Sequence, residues 1–333
     1  MKIQTFFYCL SIFIFSITIA IVFYLSFHFY SKKVTREEKI IIPKTCSIRC
    51  VASILEKNNI IQNENLFVVY ASVFSFFGKK IIAGEYLVEK NSNISQIFDK
   101  ITSGKVIIHK VTIPEGLTTY QVIELLKKQY GVINDIEDKD NVFDREGGLF
   151  PSTYEYLYGT NLSDLLTKMQ DEMQKILEAE WKNRDTSGTK ELKVSLEALI
   201  LASIIEKEAK FEGEKALIAG VYLNRLRKNM PLQADPTVIY GLSKWNNFDR
   251  KVTHNDLKAP SPYNTYIHPG LPPTPICNPG KSSIVGALHP QRTDALYFVA
   301  EGTGRHLFSN NYKQHLKNIG KIKSHCKNHS NCR

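Results

Sequence analysis

The sequence predicts an α+β protein in three parts: an N-terminal transmembrane helix, a small α+β module and a larger mixed α/β domain. Three observations lead to this fold class. An apolar run without charged residues opens the chain, short helical and extended patterns alternate over residues 48–110, and longer helical patterns follow from residue 111. A chain of 333 residues is long enough for about two domains with sizeable cores.

The transmembrane helix is predicted from residues 6–30, which are 25 consecutive residues without a formal charge. A helix of this length spans the roughly 30 Å hydrocarbon core of a membrane. The alternative is a cleaved signal peptide, whose apolar region usually has about 7–15 residues and ends at a small-residue cleavage site that this run lacks. We therefore predict an uncleaved anchor over residues 1–30, followed by a polar linker over residues 31–47. Basic residues after the run favour the opposite topology, but this rule does not decide the side on which a long folded domain lies.

The small module is predicted over residues 48–110. Its apolar positions indicate a short helix from about residue 51 and a second helix over about 66–77, and residues 83–88 indicate a turn that leads into a strand. Asn93 is placed to cap a helix that ends at Gly104. Because this part contains no cluster of catalytic residue types, we expect it to bind or to act as a spacer.

The cysteines give two open questions. Cys46 and Cys50 could pair in an oxidising compartment, but two unlinked thiols are the preferred interpretation. The basic tail over residues 321–333 contains four residues of types that bind zinc: His325, Cys326, His329 and Cys332. Since their spacing fits no standard zinc site, we predict a solvated tail and no metal.

The charge distribution argues against a nucleic-acid partner. The net charge is +10, but residues 313–333 carry six basic residues and no acidic one, and residues 31–50 carry a net charge of +4. Residues 51–312 have a net charge of −1. Proteins that bind nucleic acid usually present a basic face on the folded domain, which this distribution does not supply.

The larger domain begins with a predicted strand over residues 106–113 and a turn at 114–116. Thr118 and Gln121 then have the spacing of a capping box at the start of a helix. Residues 135–146 are predicted to form an acidic loop, and residues 162–182 have the apolar spacing of an amphipathic helix, followed by a polar linker over 183–192.

The segment of residues 195–209 carries the most chemical information. Ser195 is a suitable N-cap, and the fourteen residues after it are typical of a helix. On that helix Glu206 shares a face with small and apolar residues, which would let a ligand approach, whereas Glu208 lies roughly 160° away. Burial disfavours the charged form of a carboxyl group, which suits a general acid for glycosidic cleavage. Taken alone, the helix favours the alternative, a Glu at the edge of the core that an Arg or backbone groups hold.

Two loops, over residues 231–240 and 262–276, combine short polar residues with Tyr and Pro. Hydroxyl and amide groups bind sugar hydroxyls, and aromatic rings stack on the C–H faces of sugars. Composition alone would make these segments ordinary structured loops.

A series of motifs in the same order along the chain resembles the YceG-like (MltG) family of endolytic murein transglycosylases. The motifs are EGGLFPSTY at 146–154, ASIIEKE at 202–208, LQADPTVIY at 232–240, YNTY at 263–266, GLPP at 270–273, FVA at 298–300 and GRHLF at 304–308. Two positions depart from the family pattern, since Gly148 and Ser152 stand where the family has Tyr and Asp.

The resemblance implies a single-pass inner-membrane protein whose domains lie in the periplasm. Residues 48–110 would be a LysM-like module, and residues 111–320 would be the YceG-like catalytic domain. Glu206 would be the catalytic acid and base, without a cofactor or a metal. The candidate residues for substrate binding are Gln233, Asp235, Tyr240, Tyr263, Asn264, Tyr266, Glu146 and Tyr154.

The implied reaction is cleavage inside peptidoglycan glycan strands, at the bond between N-acetylmuramic acid and N-acetylglucosamine. The muramyl 6-hydroxyl would trap the sugar and leave a 1,6-anhydro end, so one carboxyl group suffices. Such cuts would help to terminate the elongation of nascent strands, with cell-wall synthases as partners.

Two other functions remain open. A peptidoglycan hydrolase needs a second carboxylate that faces Glu206, with Asp235, Glu146 or Glu155 as candidates. A non-catalytic scaffold that binds peptidoglycan would keep the aromatic loops, while Glu206 would be merely structural.

Overall fold

The computed structural model describes residues 2–31, 34–137, 146–243 and 250–328, which form eleven α-helices and four two-stranded sheets. This mixed content agrees with the predicted α+β class. The chain divides into two units. The smaller unit contains residues 1–109 and 155–159, and the larger unit contains residues 110–154 and 160–333.

The chain begins with helix α1 (Lys2–Ser31), which covers the predicted anchor. Among the described residues, no helix meets the combined requirements of length and apolar character for crossing a membrane. The transmembrane anchor therefore stays a prediction.

The rest of the smaller unit is a compact arrangement of strands and helices. Strand β1 (Glu38–Ile42) runs antiparallel to β2 (Gly84–Val88). Two helices, α2 (Ile48–Lys57) and α3 (Glu64–Phe76), connect these strands, and α4 (Ile94–Ser103) follows them. Buried side chains from all five elements form one core.

Strand β1 lies in the segment predicted as a polar linker, so the linker prediction is wrong over these residues. Ile40 and Ile42 are almost fully buried, at 1% and 2% exposure, because alternate side chains of the strand face the core. The folded module therefore begins near residue 38 rather than residue 48.

The predicted caps of the module's last helix are confirmed, but the preferred prediction of two unlinked cysteines is wrong. Asn93 caps α4 in a capping box with Gln96, and Gly104 ends this helix in a left-handed conformation with φ +70°. Cys46 and Cys50, at the start of α2, form a disulfide rather than two separate thiols. Cys46 precedes the N-cap residue Ser47 and Cys50 lies in the first turn of α2, with 5.3 Å between their Cα atoms, a separation that a disulfide spans.

The strands of the remaining chain form three pairs. Strand β3 (Ile108–Thr112) pairs with β5 (Thr153–Leu157), and the division between the two units falls within these strands. The other two pairs are β4 (Val132–Ile133) with β6 (Thr160–Asn161), which are parallel, and β7 (Tyr297–Ala300) with β8 (His306–Ser309), which are antiparallel.

Helices make up most of the larger unit. They are α5 (Thr119–Lys127), α6 (Leu162–Lys182), α7 (Ser195–Glu208), α8 (Lys215–Arg227), α9 (Asp235–Ser243), α10 (Lys281–Leu288) and α11 (Tyr312–Asn328). The capping box of Thr118 and Gln121 begins α5, as predicted. Residues 321–328 continue α11 rather than forming a loose tail, and residues 329–333 lie outside the described part, as do residues 138–145 of the predicted acidic loop.

Helix α7 lies at the centre of the larger unit. Residues 198–205 are all buried, because α6, α8, α9 and α10 pack around the helix. An α-helix that is apolar on all sides is expected in such a position. Two details differ from the prediction. Ser195 is the first helical residue and Val194 is the N-cap, without a side-chain hydrogen bond. The face predicted to be open is closed over most of its length, since Ser203 Oγ accepts a hydrogen bond from the Ile276 backbone N–H at 3.0 Å.

Candidate active site

Glu206 lies in the last turn of α7, where the buried helix reaches the edge of the core. Its side chain is 9% exposed. One carboxylate oxygen, Oε2, accepts hydrogen bonds from the Gly280 backbone N–H at 3.0 Å and from Ser283 Oγ at 2.6 Å. Because Gly280 immediately precedes α10, these bonds connect the end of α7 to the start of α10.

A buried lysine, Lys215, stands beside this carboxylate at the start of α8. Its Nζ lies 3.4 Å from Glu206 Oε2 and donates to Ser282 Oγ at 2.7 Å. The Lys215 side chain is only 5% exposed. A buried ammonium group is costly unless a negative charge compensates it, and Glu206 supplies that charge.

A second carboxyl group, that of Glu115, lies in the turn after β3. Its Oε2 is 3.9 Å from Lys215 Nζ, the same ammonium group that lies 3.4 Å from Glu206 Oε2. Its side chain is 46% exposed. Burial, followed by the charge of Glu206, raises the pKa of Glu115 above the ordinary value for glutamic acid.

Two glycines allow these side chains to approach so closely. A Cβ atom at Gly280 would lie 1.8 Å from Glu115 Oε1, so any other residue would displace that carboxyl group. Gly116 has φ +78°, a conformation that favours glycine, and a Cβ atom there would lie 3.6 Å from Glu206 Cγ.

Sequence reasoning pointed to Glu206 but not to Glu115, Lys215 and Ser283, which the structure places around it. The one available signal was the turn that contains Glu115, between a predicted strand and a capped helix. It carried no chemical information, because the partners of Glu115 come from distant parts of the chain.

Glu208 has a separate environment, as its position on the helix predicted. Its Oε1 accepts a hydrogen bond from Tyr222 Oη at 3.2 Å. Burial raises the pKa of Glu208 to about 7. The two acidic residues near the end of α7 therefore have different partners and do not form a pair.

Three of the predicted binding residues contact one another. Tyr240 donates its hydroxyl hydrogen to Glu146 Oε2 at 3.1 Å, and its ring meets the Tyr263 ring edge-on with 4.9 Å between centroids. The Thr119 backbone N–H donates to Glu146 Oε1 at 3.0 Å. Burial raises the pKa of Glu146 to about 7.

Of the four further predicted residues, Gln233, Asn264 and Tyr266 lie in loops, but Asp235 begins α9, so the loop predicted over residues 231–240 is helical from residue 235. Tyr266 donates its hydroxyl hydrogen to Asp235 Oδ1 at 2.6 Å. Gln233 has φ +50°, which is unusual for a residue other than glycine, and its side chain is exposed. Asn264 is fully buried, and its amide group donates to the carbonyl oxygens of Leu257 and Ala259, just before the loop. Asn264 therefore holds the loop in shape, and contact with a ligand would require these bonds to break.

Tyr154 is separate from the other predicted residues. Its hydroxyl donates to the Phe150 carbonyl oxygen at 2.7 Å. Among the described residues, the hydrogen bonds and ion pairs of the Glu206 side chain go to Gly280, Ser283 and Lys215, and none goes to one of the eight predicted binding residues.

The described chain also contains a polar cleft away from the Glu206 side chain. A polar cleft of about 420 Å³ is lined by residues that include Lys190, Arg227 and Arg292, and it does not include Glu206. Within the described ranges, no group of three or more His, Cys, Asp and Glu side chains is placed to hold a metal ion.

Comparison with known proteins identifies the family. The model of the YceG-like family matches residues 40–321. The chain belongs to the YceG-like family. A relative from Bacillus subtilis (strain 168), named endolytic murein transglycosylase, is 36% identical over 305 residues, which cover 83% of this chain and 82% of that protein.

Two further proteins are similar to this chain, one in sequence and one in structure. A protein of the same name from Streptococcus pneumoniae serotype 2 is 27% identical over 319 residues, which cover 84% of this chain and 57% of that protein. A crystal structure of a yceG-like protein from Listeria monocytogenes at 2.6 Å resolution is similar with a TM-score of 0.53. It is 30% identical in sequence, and the match covers 85% of this chain and 99% of that chain.

Proposed function

We propose that this YceG-like protein is an endolytic lytic transglycosylase that cuts peptidoglycan glycan strands internally. The name shared by its curated relatives supports this activity. The structural observation that carries the proposal is the Glu206 carboxyl group at the end of a buried helix, beside one buried cation that a half-exposed acid, Glu115, also approaches.

In the proposed reaction, Glu206 protonates the oxygen between N-acetylmuramic acid and N-acetylglucosamine. The muramyl 6-hydroxyl attacks the oxocarbenium-like carbon, and Glu206 accepts the proton of that hydroxyl, which leaves a 1,6-anhydro end. Glu206 Oε2 already accepts bonds from Gly280, Ser283 and Lys215, so Oε1 is the oxygen that carries the reacting proton. Lys215 stabilises the carboxylate that remains after protonation of the substrate.

A two-carboxylate hydrolase is the second candidate, because Glu115 provides an acid beside Glu206. Hydrolases hold their carboxyl groups about 5–5.5 Å apart when they retain configuration and about 6.5–9.5 Å apart when they invert it, which leaves room for the sugar or a water molecule. Glu115 approaches the same buried ammonium group as Glu206, at 3.9 Å from Lys215 Nζ. An acid paired with that cation is poorly placed to activate a water molecule, which favours a single acid and base that uses the nucleophile of the substrate. The predicted partners Asp235 and Glu146 bond to Tyr266 and Tyr240 instead.

The start of α9 and the loop over residues 262–276 are the proposed glycan surface. Tyr263 and the Tyr266–Asp235 pair offer ring faces and polar groups suited to sugars, while the buried Tyr240 packs against the Tyr263 ring and supports it. The smaller unit is the proposed LysM-like module, and its β1–α2–α3–β2 order gives the compact α+β architecture that this assignment requires.

We also propose that α1 anchors the protein in the inner membrane, with the rest of the chain in the periplasm. The uncharged run of residues 6–30 supports the anchor. The Cys46–Cys50 disulfide supports an oxidising compartment. In that position the enzyme would cut nascent strands close to the synthases that elongate them, and so would help to terminate their growth.

The test is digestion of purified sacculi by the full-length protein in detergent, followed by measurement of glycan strand length. Internal cleavage predicts an early fall in mean strand length without accumulation of disaccharides. Glu206→Gln should leave the strands at full length. Unchanged strand length with the wild-type protein, while the protein still binds sacculi, would contradict the enzymatic function and favour the scaffold.

A further inference from the structure

Helix α3 of the smaller unit carries an exposed apolar stripe that the proposed function does not use. Its members are Val69, Val73, Phe76 and the residue that ends the helix, Phe77. We propose that this stripe lies on the surface of an anionic lipid bilayer, next to the point where the proposed anchor α1 enters it. The inference goes beyond the proposed function, and one of its supports rests on the anchor.

The first support is the pattern of the helix. At 100° per residue, the four residues of the stripe fall within about 100° of one another around the helix axis. The opposite side, with Phe67 and Ala71, is buried in the core of the module. From residue 65 to residue 78 the chain has no charged residue. A surface helix normally presents charged groups to water, so α3 has the composition of a helix that is covered on both sides.

The amount of exposed apolar surface is the second support. Phe76 is 87% exposed and Phe77 is 75% exposed, and their rings meet edge-on with 5.6 Å between centroids. Single exposed apolar residues are common on soluble proteins, but a contiguous patch with a polar rim marks a contact with another protein or with a membrane. The groups around the stripe indicate which of these two it is.

The charges of the rim favour an anionic lipid surface. A polar cleft of about 480 Å³ at this end of the module has lysines in its lining, and salt bridges connect the lysines there to acids. The rim consists of four lysines and two acids: Lys79, Lys80, Lys100, Lys105, Asp99 and Glu89. Asp99 compensates Lys79 and Glu89 compensates Lys100, so the exposed Lys80 and Lys105 give the rim a positive charge. Lysines beside exposed aromatic residues are typical of helices that lie in the interface of an anionic bilayer.

The third support is the short connection between α1 and the module. Helix α1 ends at Ser31, and the backbone of Val34 is already bonded to the module. The Val34 N–H donates to the Ser92 carbonyl oxygen at 2.9 Å, and the Asn91 N–H donates to the Val34 carbonyl oxygen at 2.8 Å. Three extended residues span at most about 11 Å. An anchor inserted in the bilayer therefore holds this point of the module close to the membrane surface.

Helix α3 lies next to this attachment point. Tyr70 Oη donates to Ser95 Oγ in the first turn of α4 at 3.4 Å, and the rings of Tyr70 and Phe74 pack against Phe98 of α4. Because α4 begins directly after the residues that bind Val34, a bilayer that contains α1 lies near α3 as well. The stripe then extends along the helix from that point.

The test places a fluorescent reporter in the stripe of the full-length protein. Phe76→Trp exchanges one exposed aromatic ring for another, and Tyr312→Trp is the control at an exposed aromatic residue of the larger unit. Each protein is reconstituted into vesicles of phosphatidylcholine with or without phosphatidylglycerol, and quenching by brominated lipid chains is measured. The wild-type protein supplies the background of Trp181 and Trp245. Thermal melting checks the fold, and Val73→Trp is a second reporter on the stripe.

We expect brominated lipid to remove about half of the fluorescence that Phe76→Trp adds, because an interfacial helix inserts its apolar face about 5–10 Å into the bilayer. Quenching of Tyr312→Trp should be several-fold weaker. Omission of phosphatidylglycerol should reduce the quenching of Phe76→Trp, and so should Lys80→Glu combined with Lys105→Glu in the same protein. Lys57→Glu changes an exposed lysine at the end of α2 and should have no such effect.

Two results would overturn the inference. One is equal quenching, or none, of Phe76→Trp and Tyr312→Trp. The other is a blue-shifted emission of Phe76→Trp without lipid quenching, which would show that a second copy of the chain covers the stripe.

Failure of the proposed anchor gives a different result. A protein with Phe76→Ser and Phe77→Ser lacks most of the stripe, so it floats with vesicles only if α1 is inserted. Loss of flotation in this variant, together with strong quenching of Phe76→Trp, would remove the anchor and leave the bilayer contact. Cleavage of sacculi in detergent is measured independently of both.

Discussion

At the scale of single residues, the contrast between Glu206 and Glu208 is the basis for assigning the chemistry. Both lie near the end of α7, but Glu206 meets Lys215 and the start of α10, whereas Glu208 meets the Tyr222 hydroxyl. A rotation of 100° per residue was enough to predict that the two acids point in different directions. The partners of Glu206 could not be predicted, because folding brings them together from three separate segments.

This contrast gives a prediction for matched substitutions. Glu206→Gln keeps an oxygen that can accept the bonds from Gly280 and Ser283, so the fold should survive while cleavage falls by about 10²–10⁴-fold or more. Glu208→Gln can still accept the Tyr222 bond and should retain most of its activity. Strand cleavage and thermal melting of both variants test this. Equal losses of activity in two folded variants would show that the assignment of roles is wrong.

A second prediction concerns Gly280. A Cβ atom at this position overlaps the Glu115 carboxyl group, which can swing into solvent because it is half exposed. Gly280→Ala should therefore fold, and its cleavage rate should fall, because the displaced Glu115 carboxyl group no longer lies beside Lys215. Gly320→Ala is the control, since a Cβ atom there meets no atom within 4 Å. A Gly280→Ala cleavage rate identical to wild type would contradict a role in cleavage for Glu115 at this position.

At the scale of elements, buried polar contacts join helices that lie far apart in the sequence. Glu146 accepts a bond from the first residue of α5 and another from Tyr240 on α9. These bonds hold α9 against the start of α5. Because the Glu146 carboxyl group is buried, their contribution to stability depends on pH.

The direction of this sensitivity follows from proton linkage. Glu146 has a pKa of about 7 in the folded protein, above the ordinary value of 4.5, so the folded state binds the proton more tightly than the unfolded state. Its stabilising contribution is complete below about pH 4.5 and is lost as pH rises through 7. The lost contribution is on the order of 1–3 kcal/mol.

Thermal melting between pH 5 and 8 measures this effect. The melting temperature should fall as pH rises, and Glu146→Gln should flatten part of that slope. Glu208, whose pKa burial also raises to about 7, accounts for a further part. Glu178→Gln removes an exposed acid and should leave the slope unchanged. A slope that is the same in Glu146→Gln and in the wild type would contradict the burial of this carboxyl group.

The elements that could be predicted are those whose signals are local. Helices α3, α4 and α6 follow from apolar spacing and from caps such as Asn93 within a few residues. Strand β1 was missed because its partner β2 lies more than forty residues further on. A five-residue strand within the basic segment of residues 31–50 resembles a linker. The buried α7 was predicted as a helix, but its neighbours could not be, since an apolar helix does not specify which elements cover it.

At the scale of the whole molecule, the family match extends from residue 40 to residue 321 and so includes residues of both units. Helix α1 precedes the matched region, and its role is the part of the proposal that rests most on the sequence. A reporter fused after the last residue should be active only in the periplasm if α1 anchors the protein. Reporter activity in the cytoplasm, or a mature N-terminus after residue 20, would contradict the anchor.

The central claim is that Glu206, with Glu115 and Lys215 beside it, uses the substrate's own hydroxyl as the nucleophile. Mass spectrometry of glycan strands digested in water enriched in heavy oxygen tests this claim most directly. The mechanism predicts new 1,6-anhydro ends, each one water molecule lighter than a reducing end and without heavy oxygen. Heavy oxygen at most of the new ends would show that an activated water attacks, and would replace the transglycosylase with a hydrolase.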